Sequence, residues 1–480
     1  MSPIVDYERR AKAKMMHKLW LRIADALDVL LLTLPFALCW FFFYEKNILM
    51  PFNGRGDLVV VLLFALLYII FCNIYKGFSI SLMRISELLY SQALAALMAD
   101  AVLYIVICIL AQWLPAVWPI LLALAAQFVL AVLWCLCAKK IYFAKNNPLR
   151  TVVIWDHEDR VNELVNARGI RNRFEITASV HISACAEDPA SVLTGTEALF
   201  LCGVHSHDRN QIVKYCIDSG IRVYVIPRVG DAIMSGARPL HMFHLPMMML
   251  ERYNPTPEYL FIKRAFDIVL SGAALIALSP LMLVVALLIR RDGGTVFYRQ
   301  RRLTKDRREF DVLKFRSMRM DAEKDGVARL STGGSDDRIT PVGRVIRACR
   351  IDELPQLINI LRGDMSIVGP RPERPEIAEQ YERELPEFAL RLQAKAGLTG
   401  YAQVYGKYNT TPYDKLLFDL QYLARPSLGE DLRIIFATVK ILFMPESTEG
   451  VGTGQITAMD DADVVMLPET SEKVIQQMRS

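Results

Sequence analysis

The sequence predicts a multidomain membrane protein with three parts: an N-terminal four-helix transmembrane unit, a small α/β (Rossmann-like) cytosolic domain, and a C-terminal, mostly helical α+β domain that carries a re-entrant membrane helix. Three patterns predict this fold class. Four apolar segments fill the first 138 residues, short apolar runs alternate with helical patterns over residues 150–248, and one apolar run, Ile268–Ile289, is basic on both sides. We place the domains at residues 1–148, 149–250 and 251–446, with the re-entrant hairpin at 263–290 and a flexible tail at 447–480.

The N-terminal unit is defined by four apolar segments that are long enough for membrane helices. They span residues 24–44, 58–75, 88–112 and 119–138. Lys and Arg are frequent before the first segment and after the fourth, whereas the loop between the third and fourth has no charge. This bias predicts that both ends of the unit lie in the cytoplasm. Asp100 interrupts the third segment, and we leave open whether it is functional or lies near a membrane surface.

Residues 149–250 alternate short apolar runs with helical patterns, which predicts a small parallel sheet covered by helices. The first run, Thr151–Trp155, is followed by an acidic stretch at residues 156–159. A dinucleotide site needs a glycine-rich turn there, and carboxylates would repel phosphate. We therefore predict a domain without a nucleotide site and without catalysis. His205 and His207 could chelate a metal, but two histidines without further ligands are more typical of a solvated loop.

The apolar run Ile268–Ile289 is long enough to cross a bilayer, but Ser279 and Pro280 interrupt it at its midpoint. Two basic residues flank the run on each side: Lys263, Arg264, Arg290 and Arg291. Positive flanks favour the cytoplasmic side, so a spanning helix would place one pair on the wrong side. A turn costs least at Pro280, because proline removes a backbone donor and disfavours helix in the residue before it. We expect a hairpin that enters and leaves by the cytoplasmic face; the alternative is a kinked spanning helix.

A basic block follows the hairpin. Residues 290–319 contain eleven Lys or Arg and four Asp or Glu. Beside a membrane helix, such a block is expected to contact anionic membrane lipid, and it could also bind a polyanionic substrate. Nucleic acid is not expected as a partner, because no recognition motif is present and the block is tied to a bilayer.

Few residue types are available for chemistry in the C-terminal part. No histidine follows residue 244, and Cys349 is the one cysteine there, so Ser/His and Cys/His mechanisms are excluded. Asp352 and Glu353 stand at the predicted start of a helix, with Asp352 as its N-cap. One interpretation is a capped helix with an acidic first turn. The other is a phosphate site, because a helix N-terminus offers free N–H groups.

Basic residues near this acidic pair favour the phosphate site. Arg347, Arg350 and Arg371 are close in sequence, and Pro370 and Pro372 restrict the backbone on both sides of Arg371. A guanidinium with little freedom suits bidentate phosphate recognition. Together these residues predict a phosphoryl-transfer site, in which one carboxylate attacks phosphorus and the other holds Mg²⁺.

Several motifs occur in order in this region: Lys314-Phe315-Arg316-Ser317-Met318, Asp352-Glu353-Leu354-Pro355-Gln356, Gly363-Asp364-Met365-Ser366, Val368-Gly369-Pro370-Arg371-Pro372, Gly397-Leu398-Thr399-Gly400, Gln403, Asp419 and Asp431. With them, residues 258–445 resemble the bacterial sugar transferases that start glycan assembly on polyprenyl phosphate, the monotopic phosphoglycosyl transferases. The two preceding domains resemble those of the long-form members, the undecaprenyl-phosphate galactose- or glucose-phosphate transferases. The resemblance implies that Asp352 and Glu353 are the catalytic pair, and that Ser279 and Pro280 break the re-entrant helix.

The reaction that this resemblance implies is transfer of a hexose 1-phosphate from a UDP-sugar to undecaprenyl phosphate, with release of UMP. It would be the first membrane step of surface polysaccharide (exopolysaccharide) biosynthesis, on the cytoplasmic face of the bacterial inner membrane. We hypothesise that Asp352 attacks the sugar-linked phosphorus and that Glu353, together with Asp352, is the ligand of Mg²⁺. The expected substrate-binding residues are Arg371, Arg347, Lys314, Arg316, Pro370 and Pro372.

The sequence departs from the family pattern at two places. Thr304 and Arg307 stand where the family often has turn glycines, so this turn is expected to differ in shape, and Ala396 stands where the family has a proline. Two other functions stay open: a catalytically silent membrane scaffold of a glycan assembly complex, and a glycosyltransferase that transfers the sugar alone. The sequence decides neither between galactose and glucose nor whether the chain forms a homodimer.

Overall fold

The computed structural model of the chain describes residues 3–49, 52, 55–156, 161, 170, 173–186, 188–291, 293–320, 338–406 and 410–442. The predicted tail at 447–480 lies outside these residues. Between Ile226 and Pro227 the chain divides into two compact units, unit 1 before the division and unit 2 after it. Residues 227–250, which the sequence analysis assigned to the α/β domain, belong to unit 2 in this division.

Unit 1 begins, among the residues described, with four long apolar helices, as the sequence predicted. They are α1 (Pro3–Cys39), α2 (Arg55–Tyr75), α3 (Ile85–Ala111) and α4 (Trp118–Lys145). Each contributes a segment that is long and apolar enough to cross a membrane, and at most 33% of its most apolar window is buried. The outward side chains are largely leucine, isoleucine, valine and phenylalanine, which suits a lipid environment.

Polar side chains lie between these helices. The Asp28 carboxylate on α1 accepts hydrogen bonds from the Tyr68 hydroxyl on α2 (3.1 Å) and from the Gln92 amide on α3 (3.1 Å). Asp100 lies well inside α3 and is 3% exposed, so it does not stand at a helix end. Its buried carboxylate lies close to the side-chain amide of Gln127 on α4. Buried polar groups in apolar helices constrain how the helices pack.

The second half of unit 1 contains a four-stranded parallel sheet, as the alternating pattern predicted. Its strands are β1 (Leu149–Trp155), β2 (Phe174–His181), β3 (Ala198–Cys202) and β4 (Arg222–Val225). They lie in the sheet in the order β2-β1-β3-β4. The helices described between them are α5 (Ser183–Ala186), α6 (Pro189–Leu193) and α7 (Ser206–Asp218). The central strands β1 and β3 are the most buried, because apolar clusters cover both faces of the sheet.

Acidic and basic groups meet at the end of β1. The Asp156 carboxylate lies 3.7 Å from His181 Nε2 and 3.5 Å from His205 Nε2. The rest of the predicted acidic stretch, residues 157–159, lies outside the described residues. His205 is 63% exposed just before α7, as the solvated-loop interpretation expects, and this carboxylate is its neighbour.

Unit 2 is a mixed helical and α/β body. Its described strands form two-stranded sheets: antiparallel β5 (Arg238–Met242) with β6 (Leu245–Met249), antiparallel β7 (Phe297–Leu303) with β8 (Glu309–Phe315), and parallel β9 (Ser366–Val368) with β10 (Gly397–Thr399). Its described helices are α8 (Val229–Met234), α9 (Pro257–Arg291), α10 (Pro341–Ala348), α11 (Gln356–Arg362), α12 (Pro375–Glu384), α13 (Tyr401–Tyr405), α14 (Pro412–Ala424) and α15 (Leu428–Leu442). Segments of 3-10 helix lie at Lys305–Arg307, Ile351–Glu353 and Pro386–Gln393.

Helix α9 is also long and apolar enough to cross a membrane, and only 11% of its most apolar window is buried. Ser279 and Pro280 lie inside the helix, so helical structure continues where the sequence analysis expected a turn. The Ser279 hydroxyl donates a hydrogen bond to the Ile276 carbonyl (2.8 Å). Pro280 has no N–H to give this carbonyl, so the serine replaces the missing helical bond. The re-entrant path of the helix stays a prediction.

The half of α9 before Ser279, its first arm, is held to the rest of unit 2 by polar contacts. Arg264 donates to the Ile360 carbonyl (2.6 Å) at the C-terminal end of α11. The Asp267 carboxylate accepts a hydrogen bond from the Ile367 N–H of β9 (2.9 Å). These contacts connect the basic start of the helix to the elements that follow the acidic pair.

The half of α9 after Pro280, its second arm, is held to the rest of unit 2 by apolar contacts. Val285 and Ile289 are buried in a cluster with Phe315 of β8 and Ile346 of α10. Between the two arms, Ile276 is 78% exposed. One folded body therefore contacts both arms, while the middle of the helix is uncovered.

Candidate active site

The predicted acidic pair lies in a short 3-10 turn, Ile351–Glu353, just before α11. Arg350 precedes this turn with a φ of 54°, a left-handed conformation that is uncommon for residues other than glycine. Helix α11 begins at Gln356 with Pro355 at its N-cap position. The prediction that Asp352 caps the helix is therefore wrong, because the chain completes a 3-10 turn before the α-helix starts.

Glu353 is bound by basic side chains. Its Oε1 accepts hydrogen bonds from Lys314 Nζ (3.1 Å) and Arg371 Nη2 (2.9 Å), and its Oε2 lies 3.7 Å from Arg350 Nη1. The side chain is only 14% exposed. Burial raises the pKa of Glu353, but the three cations outweigh burial and hold this pKa well below its usual value. Glu353 is therefore a fixed negative charge at any physiological pH.

Asp352 differs from its neighbour. Its carboxylate accepts no hydrogen bond and forms no ion pair with any residue that the structure describes. Burial raises the pKa of Asp352, and the negative charge of Glu353 adds to this rise. Lys314, Arg347 and Arg350 lower the pKa without offsetting the rise. An unbound carboxylate with raised basicity has the properties of a nucleophile.

The backbone around Arg371 is held by two other arginines. Arg391 Nη2 donates to the Arg371 carbonyl (2.8 Å), and Arg302 Nη1 donates to the Pro372 carbonyl (3.1 Å). Because these carbonyls are fixed, the Arg371 guanidinium reaches Glu353 with little backbone freedom. The rigidity expected from the flanking prolines is thus supplemented by hydrogen bonds from elsewhere in the domain.

Glycines allow the segments on either side of this backbone to approach closely. The Gly369 N–H donates to the Thr399 carbonyl (2.9 Å), and the Gly397 N–H donates to the Pro370 carbonyl (2.8 Å). A Cβ added to Gly369 would lie 2.3 Å from the Lys395 carbonyl oxygen, and one added to Gly397 would lie 2.2 Å from the Gly369 nitrogen. Larger residues therefore do not fit at either position, which explains the glycine in both motifs.

A buried network of ion pairs lies under this segment, and the sequence analysis did not identify it. Arg391 is 2% exposed and pairs with Asp419 Oδ2 at 2.6 Å. Glu373 lies beside three cations: Lys415 (3.4 Å), Arg391 (3.7 Å) and Arg302 (3.8 Å). Burial raises the pKa of Glu373, but these cations together lower it to about 2. The only sequence signal for the network was the motif match at Asp419.

The structure brings three of the six predicted binding residues to the acidic pair, while Pro370 and Pro372 flank Arg371 and Arg316 lies elsewhere. Lys314 and Arg371 contact Glu353, and Arg347, in the last turn of α10, is close enough to lower the pKa of Asp352. Arg316 is not brought there.

Arg316 instead holds the end of α9. Strand β8 ends at Phe315, and the buried Arg316 guanidinium donates to the carbonyls of Ile289 (3.2 Å) and Gly293. The expectation that Arg316 contacts a phosphate is therefore not supported. Its contacts indicate that it terminates the membrane helix.

The two departures from the family pattern contact each other. The Ala396 N–H donates to Thr304 Oγ1 (3.0 Å), and this hydroxyl donates to the Asp364 carbonyl (3.1 Å). A proline at position 396 would have no N–H to donate. Arg307 has a φ of 62°, the conformation that glycine favours. The turn therefore keeps a glycine-like backbone at Arg307, and the Ala396 N–H holds Thr304 at the start of this turn.

Asp352 and Glu353 are the residues that could hold a divalent cation here. Across the described ranges, no three His, Cys, Asp or Glu side chains come together as a metal site. Mg²⁺ often takes only one or two carboxylates and completes its shell with water and substrate phosphates. Glu353 Oε2 and the Asp352 carboxylate receive no hydrogen bond from the described residues, so this donor set fits Mg²⁺.

An acidic pair surrounded by cations, on a body that also holds an apolar helix, is the arrangement expected of a membrane enzyme that acts on phosphate groups. A family model for the bacterial sugar transferases matches residues 258–445. Together with the relatives described next, this match shows that the chain belongs to the bacterial sugar transferase family.

Three relatives illustrate the similarity. A UDP-glucose:undecaprenyl-phosphate glucose-1-phosphate transferase of Caulobacter vibrioides is 40% identical over 38% of this chain and 71% of the relative. An exopolysaccharide production protein PSS of Rhizobium leguminosarum bv. phaseoli is 41% identical over 40% of this chain and 98% of the relative. A UDP-N-acetylgalactosamine-undecaprenyl-phosphate N-acetylgalactosaminephosphotransferase of Aeromonas hydrophila is 38% identical over 47% of this chain and 53% of the relative. The chain thus spans about half the length of this last relative.

Proposed function

We propose that this chain transfers a sugar 1-phosphate from a UDP-sugar to undecaprenyl phosphate and releases UMP, as a first membrane step of surface polysaccharide synthesis. The observation that carries the proposal is the contrast within the acidic pair. Cations bind Glu353, whereas the Asp352 carboxylate receives no hydrogen bond from the described residues. The names of two relatives, both undecaprenyl-phosphate sugar-phosphate transferases, support these substrates, and they differ in the sugar.

Asp352 acts as the nucleophile in two displacements. One of its oxygens attacks the sugar-linked phosphorus of the UDP-sugar, and the bond from this phosphorus to the bridging oxygen breaks as UMP leaves. A phosphate oxygen of the lipid then attacks the same phosphorus. The bond to Asp352 breaks, which restores the carboxylate. The raised pKa of Asp352 supports the first attack, because a more basic oxygen is a better nucleophile.

The basic side chains stabilise the charge that develops on the phosphoryl oxygens. Glu353 keeps Lys314 and Arg371 in fixed positions, so these cations need little rearrangement when substrate binds. Arg347 adds positive charge on the side of Asp352. When bound, Mg²⁺ would neutralise charge on the diphosphate, with Glu353 and Asp352 as its protein ligands.

The proposal includes a re-entrant α9. Arg264 and Ile289 are 25 residues apart, which is about 37 Å along a continuous helix, whereas the hydrocarbon core of a bilayer is about 30 Å thick. Both residues contact one folded body, so a spanning helix would require that body to extend through the bilayer. A helix that dips into the cytoplasmic leaflet avoids this, with the exposed Ile276 and Pro280 at its deepest part.

The other domains are assigned by charge and topology. We propose that α1–α4 span the inner membrane with both ends in the cytoplasm, because the basic residues lie at these ends. The parallel sheet of unit 1 is proposed as a Rossmann-like cytosolic domain without a nucleotide site. The basic block at residues 290–319 is proposed to contact anionic lipid next to the site.

One assay tests the reaction class. Membranes that contain the protein are supplied with a UDP-sugar, Mg²⁺ and polyprenyl phosphate, and the released nucleotide is identified. UMP supports transfer of the sugar phosphate, whereas UDP would indicate transfer of the sugar alone. No nucleotide release across a panel of UDP-sugars would support the catalytically silent scaffold.

A matched pair of variants tests the nucleophile. Asp352→Asn is expected to abolish UMP release while the protein still folds and inserts into membranes. Asp311→Asn is the control, because Asp311 is an exposed carboxylate on β8 of the same domain, and its rate is expected to match that of the unmodified protein. A near-normal rate for Asp352→Asn would remove Asp352 as the nucleophile.

A further inference from the structure

Asp431 is one of the matched motif residues, yet it takes no part in the proposed reaction. It lies in the first turn of α15 and is 6% exposed. Its Oδ1 accepts a hydrogen bond from the Tyr422 hydroxyl (2.8 Å), and its Oδ2 accepts from the Tyr259 hydroxyl (2.9 Å) and from Lys263 Nζ (2.9 Å). A buried carboxylate with three donors holds together the segments that carry these donors.

Two successive turns of α9 bind this carboxylate. Tyr259 and Lys263 are four residues apart, so they lie on the same face of the helix. Lys263 belongs to the basic residues that flank the apolar run, so in the proposed re-entrant path its ion pair lies where α9 enters the membrane. Asp431 therefore connects α15 to α9 at the membrane surface.

A second anchor holds another face of the first arm. Arg264 donates to the carbonyls of Ile360 (2.6 Å) and Leu361 (2.8 Å), at the C-terminal end of α11. Neighbouring residues of a helix point in directions about 100° apart, so Lys263 and Arg264 reach different elements. One anchor alone would let the arm tilt about it, whereas two anchors on different faces fix its direction.

Apolar packing leaves space at this place. A cavity of about 20 Å³ lies between α9 and α15 beside the ion pair, and its apolar lining includes Phe266, Leu432 and Ile435. A void offers fewer contacts than a close-packed interface. The polar anchors therefore contribute much of what sets the direction of the first arm.

Helix α11 connects the second anchor to the acidic pair. The pair lies in the turn before α11, and Arg264 binds the opposite end of this helix. Helix α11 has seven residues, which is about 10 Å along its axis. A tilt of about 15° between the arm and α11 would move the acidic pair by roughly 3 Å relative to the arm. A misplacement of about 1 Å can lower a rate roughly a hundredfold.

We propose that Asp431 is a positioning residue: it sets the direction of the first arm of α9, and thereby the height of the acidic pair relative to the lipid phosphate. Its expected effect on rate rests on the proposed reaction, whereas the direction of α9 can be measured without any reaction. The UDP-sugar arrives from solution, so the first displacement does not depend on this height. The acceptor is held in the bilayer, so the second displacement does.

Quenching by brominated lipid measures the depth of α9. Full-length Ile276→Trp protein is placed in nanodiscs whose lipids carry bromine either near the headgroup or near the end of the acyl chain, and the emission of the same protein with Ile276 is subtracted. Adding Asp431→Asn is expected to change the ratio of shallow to deep quenching. The control Glu258→Gln, at an exposed carboxylate in the first turn of α9, is expected to leave the ratio unchanged. Lys263→Met removes the same ion pair from the side of α9 and is expected to change the ratio as Asp431→Asn does.

Kinetics of the two displacements test the consequence. Exchange of labelled UMP into the UDP-sugar needs only the first displacement, whereas formation of the lipid product needs both. Asp431→Asn is expected to leave the exchange rate close to that of Glu258→Gln, and to lower kcat/KM for undecaprenyl phosphate by about tenfold or more. An ion pair that only stabilises the fold would lower both rates together.

An unchanged quenching ratio in both Asp431→Asn and Lys263→Met would overturn the proposal. An equal loss of exchange and of product formation would also overturn it. If the unmodified protein shows no exchange and no UMP release, the proposed reaction is refuted, and the quenching ratio still decides whether Asp431 sets the direction of α9.

Discussion

Replacing Arg391 with leucine removes the cation that neutralises Asp419 in the interior of unit 2. Both side chains are 2% exposed, and the Arg391 guanidinium lies 2.6 Å from the carboxylate. Leucine would leave a buried negative charge without its partner. We expect this change to lower the free energy of unfolding by about 3–5 kcal/mol, which for a domain of this size corresponds to a fall in Tm of roughly 6–20 °C.

The loss is expected to depend on pH. Burial raises the pKa of Asp419 and Arg391 lowers it, so removing Arg391 raises the pKa further. The unfolded carboxyl ionises near its ordinary pKa, whereas the folded one keeps its proton up to the raised pKa. The cost of folding therefore grows between these two pKa values and stays constant above the higher one. The destabilisation by Arg391→Leu is therefore expected to increase as the pH rises.

The assay must report on unit 2 specifically. All six tryptophans lie at or before Trp155, so intrinsic fluorescence reports on unit 1. Pulse proteolysis of the full-length protein, with detection of fragments from unit 2, measures its unfolding instead. The control is the double variant Arg391→Leu/Asp419→Leu, which is expected to recover most of the loss, because apolar side chains can replace a buried ion pair at little net cost.

The double variant also separates stability from function. Arg391 holds the Arg371 carbonyl, so a folded double variant is still expected to turn over more slowly than the unmodified protein. The reasoning fails if the single variant is as stable as the unmodified protein. It also fails if the double variant is no more stable than the single one.

Three further outcomes are expected. In the proposed reaction Asp352 must be ionised to attack. Because its pKa is raised, kcat/KM is expected to fall as the pH decreases through this raised value. A pH profile with a flat acidic limb would contradict this role. Gly369→Ala should destabilise unit 2 by about 1–3 kcal/mol, because an added Cβ would lie too close to the Lys395 carbonyl. Gly429→Ala should not, because an added Cβ there meets nothing within 4 Å. If pulse proteolysis gives the two variants the same free energy of unfolding, the close contact at Gly369 is refuted. Arg316→Gln is expected to lower the stability of unit 2 without changing KM for the UDP-sugar, and an increased KM would return Arg316 to the substrate site.

Features with a local signature were predictable from the sequence. Apolar segments of membrane length became α1–α4, and the alternating runs became the parallel sheet, since segment length and periodicity depend only on neighbouring residues. The acidic pair was recognisable because its carboxylates are adjacent and motifs surround it. The N-cap prediction at Asp352 failed because a 3-10 turn and an α-helix begin with similar residues.

Contacts between distant residues were not predictable. Arg391 and Asp419 are separated by 28 positions, and Tyr259 and Asp431 by 172, so no periodic pattern connects them. Arg316 follows Lys314 by two residues and was given the same role. The end of β8 turns it toward the carbonyl of Ile289 instead. These arrangements depend on tertiary packing, which one sequence read locally does not contain.

The acidic pair shares its surroundings with more positive than negative groups. The cations that influence it are Lys314, Arg347, Arg350 and Arg371. Such a cluster of cations attracts small polyanions, so in the proposed reaction free pyrophosphate and the departing nucleotide are expected to compete with the UDP-sugar. The reaction rate is then expected to fall as the ionic strength rises, because salt screens the attraction between these cations and the anionic UDP-sugar.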